Sequence, residues 1–156
     1  MTAPRYTFVA MSTTPLSSST RSTRAPEPVG AYPHARRVGN LLFLSGVGPR
    51  QRFQTDIPGV KLGEDGKYTT DDFAAQCLAT FENVAMILEE SGSSWQELVD
   101  VTVFLTDMSA DFATFNALWA EAFPDPATQP CRTTIEVGAL PTPIAIELKC
   151  IATVKD

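Results

Sequence analysis

The sequence predicts an α+β fold, with two helices covering one face of a mixed β-sheet. Two observations carry this. Segments with strand and helix character follow one another in the order β-β-(connection)-α-β-α-β-β. The two helical segments also show apolar stripes at steps of three and four, whereas the strands alternate with period two. At 156 residues, 44% hydrophobic and 19% charged, the chain is long enough for one domain with a substantial core.

The elements follow from local chemistry. Residues 1–28, with "MSTTPLSSSTRSTRAPEP", are rich in Ser, Thr, Arg and Pro and offer little to bury, so they are expected to be a disordered tail. Their acid-poor character faintly resembles a transit peptide, and Met11 offers a second start. The folded domain is expected over 29–156. "HARRVGNLLFLSGVG" predicts a hairpin, with strands at His34–Val38 and Leu41–Gly46 joined by Gly39-Asn40. A long connection follows over Pro49–Thr69, a length typical of a functional flap.

The segment "TTDDFAAQCLATFENVAMILEESG" predicts the first helix. Thr69 or Thr70 is its expected cap, Phe73, Cys77, Phe81, Val84 and Leu88 form its stripe, and Gly92 stops it. "LVDVTVFLT" predicts a strand over Leu98–Thr106. "SADFATFNALWAEAF" predicts the second helix, capped at Ser109 and halted by Pro124. Strands are expected at Cys131–Val137 and Ile144–Thr153.

Charge and cysteine usage exclude some functions. The net charge is −6. From Ala31 onward there are nine basic and seventeen acidic residues, a local net of −8. So acidic a body disfavours a nucleic-acid backbone as partner. No apolar run reaches the length of a membrane span. The three cysteines, Cys77, Cys131 and Cys150, match no zinc or redox spacing and predict reduced thiols in a cytoplasmic protein. His34 is the one histidine, which excludes a histidine-rich metal site, and it is expected at the surface or an interface.

The stretch "QPCRTTIEVG" places Arg132 in a strand of small and apolar residues. If Cys131–Val137 pairs antiparallel with Ile144–Thr153 through "GALPTP", and Val137 lies opposite Ile144, then Arg132 faces Lys149 and is a diagonal neighbour of Glu147. A plain Arg132–Glu147 or Lys149–Glu136 ion pair would then explain the arginine, and strand pattern alone favours it. The other reading is a seat for a carboxylate, which a guanidinium grips with two donors. Tyr32 before Pro33, Ser45 before Gly46, and Asn116 on the second helix are further candidates. By pattern they are equally consistent with packing, a backbone cap and a specific hydrogen bond.

"PVGAYPHARRVGNLLFLSG", "DVTVFLTDMSADFATFNALWAEAF", "PCRTTIEVGALP" and "IAIELKCIA" resemble the Rid, or YjgF, family of small imine/enamine deaminases, over about Pro28–Ala152. The resemblance implies a chorismate-mutase-like fold and a homotrimer with sites between subunits. It implies that Arg132 holds the substrate carboxylate and that Glu147 helps position the attacking water. Tyr32, Ser45, Asn116 and Thr134 would line the pocket. At Thr134 the best-known branch carries a cysteine, so the chain departs there. The implied reaction is hydrolysis of a 2-imino or 2-enamino acid to a 2-oxo acid and ammonia, with no metal or organic cofactor.

The long connection with "RQRFQTDIPGV" looks more like the 2-aminomuconate deaminase branch. Arg50 and Arg52 would then reach a second carboxylate; the alternative is that both are solvated loop charges. A generalist acting on 2-aminoacrylate-type intermediates and a non-catalytic metabolite-binding trimer are the competing readings.

Overall fold

The computed structural model describes residues 17–155. Eight strands and two long helices are formed: β1 (Ser17–Thr20), β2 (Ala35–Val38), β3 (Leu41–Leu44), β4 (Val60–Leu62), β5 (Tyr68–Thr70), α1 (Phe73–Glu90), β6 (Leu98–Leu105), α2 (Met108–Ala122), β7 (Cys131–Glu136) and β8 (Ile146–Thr153). Six strands make one mixed sheet in the order β1-β2-β3-β8-β6-β7, and β4 and β5 form a separate hairpin. Both helices pack on one face, as the sequence predicts.

The helix stripes are the core. Phe73, Cys77, Phe81, Val84 and Leu88 of α1 are buried, as are Phe115 and Trp119 of α2. They meet Val101, Val103 and Leu105 of β6 and Ile146, Leu148 and Cys150 of β8. An aromatic cluster closes one end: Phe81 contacts Trp95, Phe115 and Trp119, and Trp119 lies 4.6 Å from Phe123 between ring centroids. Each such pair is worth about 0.5–1.5 kcal/mol beyond its buried area. The other sheet face carries half-exposed Leu41, Phe43 and Ile135, with no layer of the described residues over it.

The caps differ from expectation. Asp72 caps α1 by accepting from the Ala75 amide at 2.9 Å, and Asp107 caps α2 by accepting from Ala110 at 3.0 Å. A carboxylate at this position adds charge to the capping bond. Thr69 and Thr70 are instead spent in β5, because the long connection folds back as the β4–β5 hairpin. Gly59, with φ of +67°, makes that return possible, since a Cβ there would collide with the Asp72 carbonyl. Gly92, with φ of +77°, ends α1 as predicted.

The folded part also begins earlier than Val29. β1 pairs with β2, and Ala25 is fully buried. Polar residues build this segment, which is why its composition hides it. Ser22 and Thr23 hydroxyls donate to the Glu90 carboxylate, and Arg24 bridges to Glu89 at 2.7 Å. The expected tail over residues 1–16 lies outside the described residues.

The largest correction concerns register. β7 pairs not with β8 but with β6, and in parallel, so that Arg132 lies beside Val101 and Thr134 beside Val103. β6 also takes β8 on its other side, antiparallel, with Phe104 beside Glu147. The "GALPTP" loop therefore crosses one strand rather than making a hairpin. Neither proposed ion pair forms. The Glu136 carboxylate accepts from the Met108 amide at 2.7 Å, and Lys149 Nζ donates to the Leu44 carbonyl at 3.2 Å.

Candidate functional site

The parallel pairing decides which way Arg132 points. Residues side by side in a sheet share a face, and Val101 and Val103 are buried under the helices. Arg132 and Thr134 therefore face α2. The Arg132 guanidinium lies 5.3 Å from the Phe115 ring centroid and 5.4 Å from that of Trp119. Two such faces hold a guanidinium flat, at about 0.5–2 kcal/mol each. Among the described residues no carboxylate pairs with it. Burial lowers its pKa, yet an arginine stays charged at neutral pH. The Thr134 Oγ1 is buried and has no hydrogen-bond partner among the described residues. A half-buried cation with no acid partner among the described residues, beside an unsatisfied hydroxyl on an edge strand, is chemically suited to an anion that bears a further polar group.

Asn116 lies one position past Phe115 on α2. Its side chain makes no hydrogen bond among the described residues, so the specific bond expected from its poor helix propensity is not met within the chain.

Glu147 lies on the opposite face, in a hollow of about 360 Å³. Tyr32, Ser45, Gly46, Arg50 and Lys149 line it as well. A bulge puts them there. Phe43 pairs with Ile151, but Val47 pairs with Leu148, so β3 and its continuation carry one residue more than β8. The extra residue falls at Ser45–Gly46, facing Glu147. A Cβ at Gly46 would overlap the Glu147 carboxylate, so the glycine leaves that side chain room to stand where it does. Ser45 donates its hydroxyl to the Pro33 carbonyl at 2.7 Å and its amide to His34 at 2.9 Å, leaving the Oγ lone pairs to accept. Burial raises the Glu147 pKa, and Lys149 pulls it back in part. Its carboxylate makes no hydrogen bond among the described residues. A half-buried carboxylate held above its usual range is suited to exchanging a proton with water.

His34 is buried rather than at the surface. Its Nδ1 accepts from the Ser22 amide and its Nε2 donates to the Pro26 carbonyl, both at 2.9 Å. It is a strut of the N-terminal segment. Two thiols are also silent: burial pushes Cys77 and Cys150 up to about 12. Among the described residues no cluster of His, Cys, Asp or Glu is arranged to hold a metal.

The candidates thus fall into two groups. Tyr32, Ser45 and Glu147 share one hollow; Arg132 and Thr134, with Asn116 on the neighbouring helix, occupy the far edge and the other face. Sequence reasoning missed Gly46 and Lys149 as members of the hollow. Lys149 was legible in the alternation of β8, two places from Glu147; the bulge at Gly46 had no signal beyond the glycine itself.

A family model described as Endoribonuclease L-PSP matches residues 22–154. The chain is 35% identical to Reactive Intermediate Deaminase A, chloroplastic, of Arabidopsis thaliana, over 97% of this chain and 74% of the relative. It is 32% identical to the 2-iminobutanoate/2-iminopropanoate deaminase of Escherichia coli, over 88% of this chain and 98% of the relative. Among solved structures, E. coli TdcF with bound serine superposes with a TM-score of 0.75 at 29% identity, covering 88% of this chain and 99% of that one. The E. coli YjgF gene product superposes at 0.74 and 30% identity, with the same coverage.

Proposed function

The chain belongs to the Endoribonuclease L-PSP, or Rid (YjgF), family, and from that premise we propose that it hydrolyses 2-imino and 2-enamino carboxylic acids. Relatives named as imine deaminases support this activity in general. One observation of the chain carries the reading furthest. Arg132 is a rigid guanidinium with no acid of its own, and Glu147 is a carboxylate with no base bonded to it. Each lacks what a carboxylate-bearing imine and its attacking water would supply.

The two stand on opposite faces of one sheet, so a single chain does not bring them together. We propose that they meet across a subunit boundary in a homotrimer. β7 is an edge strand whose Arg132 a neighbour can reach, and the uncovered face with Leu41, Phe43 and Ile135 is an apolar surface for such contacts. Asn116, without a bond inside the chain, would face the same shared site.

In the reaction the substrate carboxylate docks on Arg132, which fixes the imine carbon. An enamine first takes a proton at carbon and gives one up from nitrogen to become the imine. Glu147 as carboxylate accepts a proton from water while the oxygen bonds to the imine carbon. That proton goes to nitrogen to give a carbinolamine; its hydroxyl proton then also passes to nitrogen as the C=O forms, the C–N bond breaks, and ammonia leaves a 2-oxo acid. The steps consume one water and need no electron acceptor. Tyr32 and the Ser45 oxygen line the hollow where this water would stand.

For the substrate we favour 2-aminomuconate, on the length of the 49–69 connection, with 2-aminoacrylate-type intermediates next. The acidic body argues against RNA as partner, despite the wording of the family description. No helix among the described residues is long and apolar enough to cross a membrane. Relatives named as chloroplastic and mitochondrial share the family, so it is not tied to one compartment; for this chain we propose the cytoplasm.

The test is ammonia release from 2-aminomuconate and 2-aminoacrylate generated in situ, with wild type and Arg132→Ala in parallel. Turnover of either substrate that collapses in a folded mutant supports the reading. A folded wild type that turns over neither leaves a metabolite-binding protein.

A further inference from the structure

The two arginines of the long connection have different jobs. Arg52 is built into the fold. Its Nη1 donates to the Ser22 and Ala25 carbonyls, at 3.2 and 2.8 Å, and its Nη2 pairs with the Glu27 carboxylate. Arg50 has one bond to the segment, from Nη2 to the Glu27 carbonyl at 2.7 Å, and no acid pairs with it among the described residues. The other donors of its fork have no partner among the described residues, and Arg50 lines open hollows.

That space is double. Arg50 and Thr142 line both the hollow that holds Glu147 and a second one of about 390 Å³. The second is walled by the β4–β5 hairpin, through Val60, Leu62 and Tyr68, with Ile57 and Pro143 completing an apolar lining. Asp56 is its one acid. A three-carbon imino acid at Glu147 would leave this chamber empty, so the reacting site alone gives it no role.

Resting on the deaminase reading, we infer that Arg50 and the chamber under the β4–β5 hairpin form an extended subsite for the distal end of a long, dicarboxylic 2-imino or 2-enamino acid. The hydrocarbon part of the chain lies against Ile57, Val60 and Leu62, and the second carboxylate takes the free donors of Arg50. Asp56 adds a repulsive element: an anion that overshoots Arg50 meets a carboxylate, which favours one chain length.

The experiment compares three imines made in situ from their amino acids by an amino-acid oxidase: 2-iminopropanoate, 2-iminohexanoate and 2-iminoadipate. The last two share chain length and differ in the distal carboxylate. Wild type is expected to prefer 2-iminoadipate over 2-iminohexanoate in kcat/KM. Arg50→Gln should cut that preference by about tenfold, and Arg50→Lys should restore part of it. Leu62→Trp, on the exposed hairpin, should lower both six-carbon substrates relative to 2-iminopropanoate. Binding of the product 2-oxoadipate, measured by calorimetry, reads the subsite without turnover. If 2-iminopropanoate is turned over and Arg50→Gln leaves the preference for 2-iminoadipate unchanged, the subsite is overturned and the deaminase stands. If nothing is turned over but 2-oxoadipate binds through Arg50, the subsite stands and the deaminase falls.

Discussion

Two regions of the main sheet, its β7 edge and its central β3–β8 seam, present charge in opposite ways. At the β7 edge, Arg132 is stacked on Phe115 and Trp119, and its orientation is set by aromatic faces rather than by an acid. At the β3–β8 seam, Glu147 stands in an open hollow beside a backbone bulge, its pKa raised by burial and moderated by Lys149. One holds a guanidinium against two aromatic rings; the other sets a carboxylate in an open hollow with Arg50 and Lys149 beside it. Fixing a carboxylate calls for the first, and handling water calls for the second. Separating them avoids the internal ion pair that would have quenched both.

The sharpest way to break this comparison is a mixing experiment. Arg132→Ala and Glu147→Gln should each lose activity by about a hundredfold or more, since each removes a group acting on the reacting molecule. Unfolded together, mixed in equal amounts and refolded, they should recover about a quarter of wild-type activity, because random assembly restores one intact Arg132–Glu147 pairing in four. No recovery would mean that the two regions serve the same chain, or no common site.

A pH profile tests the Glu147 region. In the proposed reaction Glu147 acts as a carboxylate, so kcat/KM should fall as pH drops through its pKa. Because that pKa is raised, the loss begins above the usual carboxylate range. Lys149→Met removes the charge that pulls it down, so the acidic limb should move to higher pH by up to about one unit. An unmoved limb would assign the titration elsewhere.

The smallest expected effect is at the β7 edge. Thr134→Val keeps the shape and removes a buried hydroxyl that lacks a partner in the chain. Stability should hold or rise by up to about 1 kcal/mol in thermal unfolding, while KM rises a few-fold. A large loss of stability instead would show that the hydroxyl bonds within the folded protein, and Thr134 would drop out of the site.

Much of this architecture was legible in the chain. The stripe Phe73-Cys77-Phe81-Val84-Leu88 could bury only as a helix, and the alternation Ile146-Leu148-Cys150-Ala152 could bury only as a strand, because each period matches one backbone geometry. The acidic body and the absence of metal-ligand spacing are equally local facts. Arg132 and Glu147 were singled out from residue type and resemblance.

What needed the tertiary structure is everything that depends on partners distant in sequence. The short "GALPTP" loop invited a hairpin, yet β6, thirty residues upstream, intervenes between β7 and β8. That insertion sends Arg132 to the helix face and Glu147 to the other. The start of the fold was likewise hidden, because residues 17–27 are held by hydrogen bonds to Glu89, Glu90, His34 and Arg52 rather than by an apolar pattern. Burial periodicity belongs to a segment and can be read from it. Strand order and side-chain pairing belong to the whole chain, since each strand's neighbour is chosen by competition among all of them.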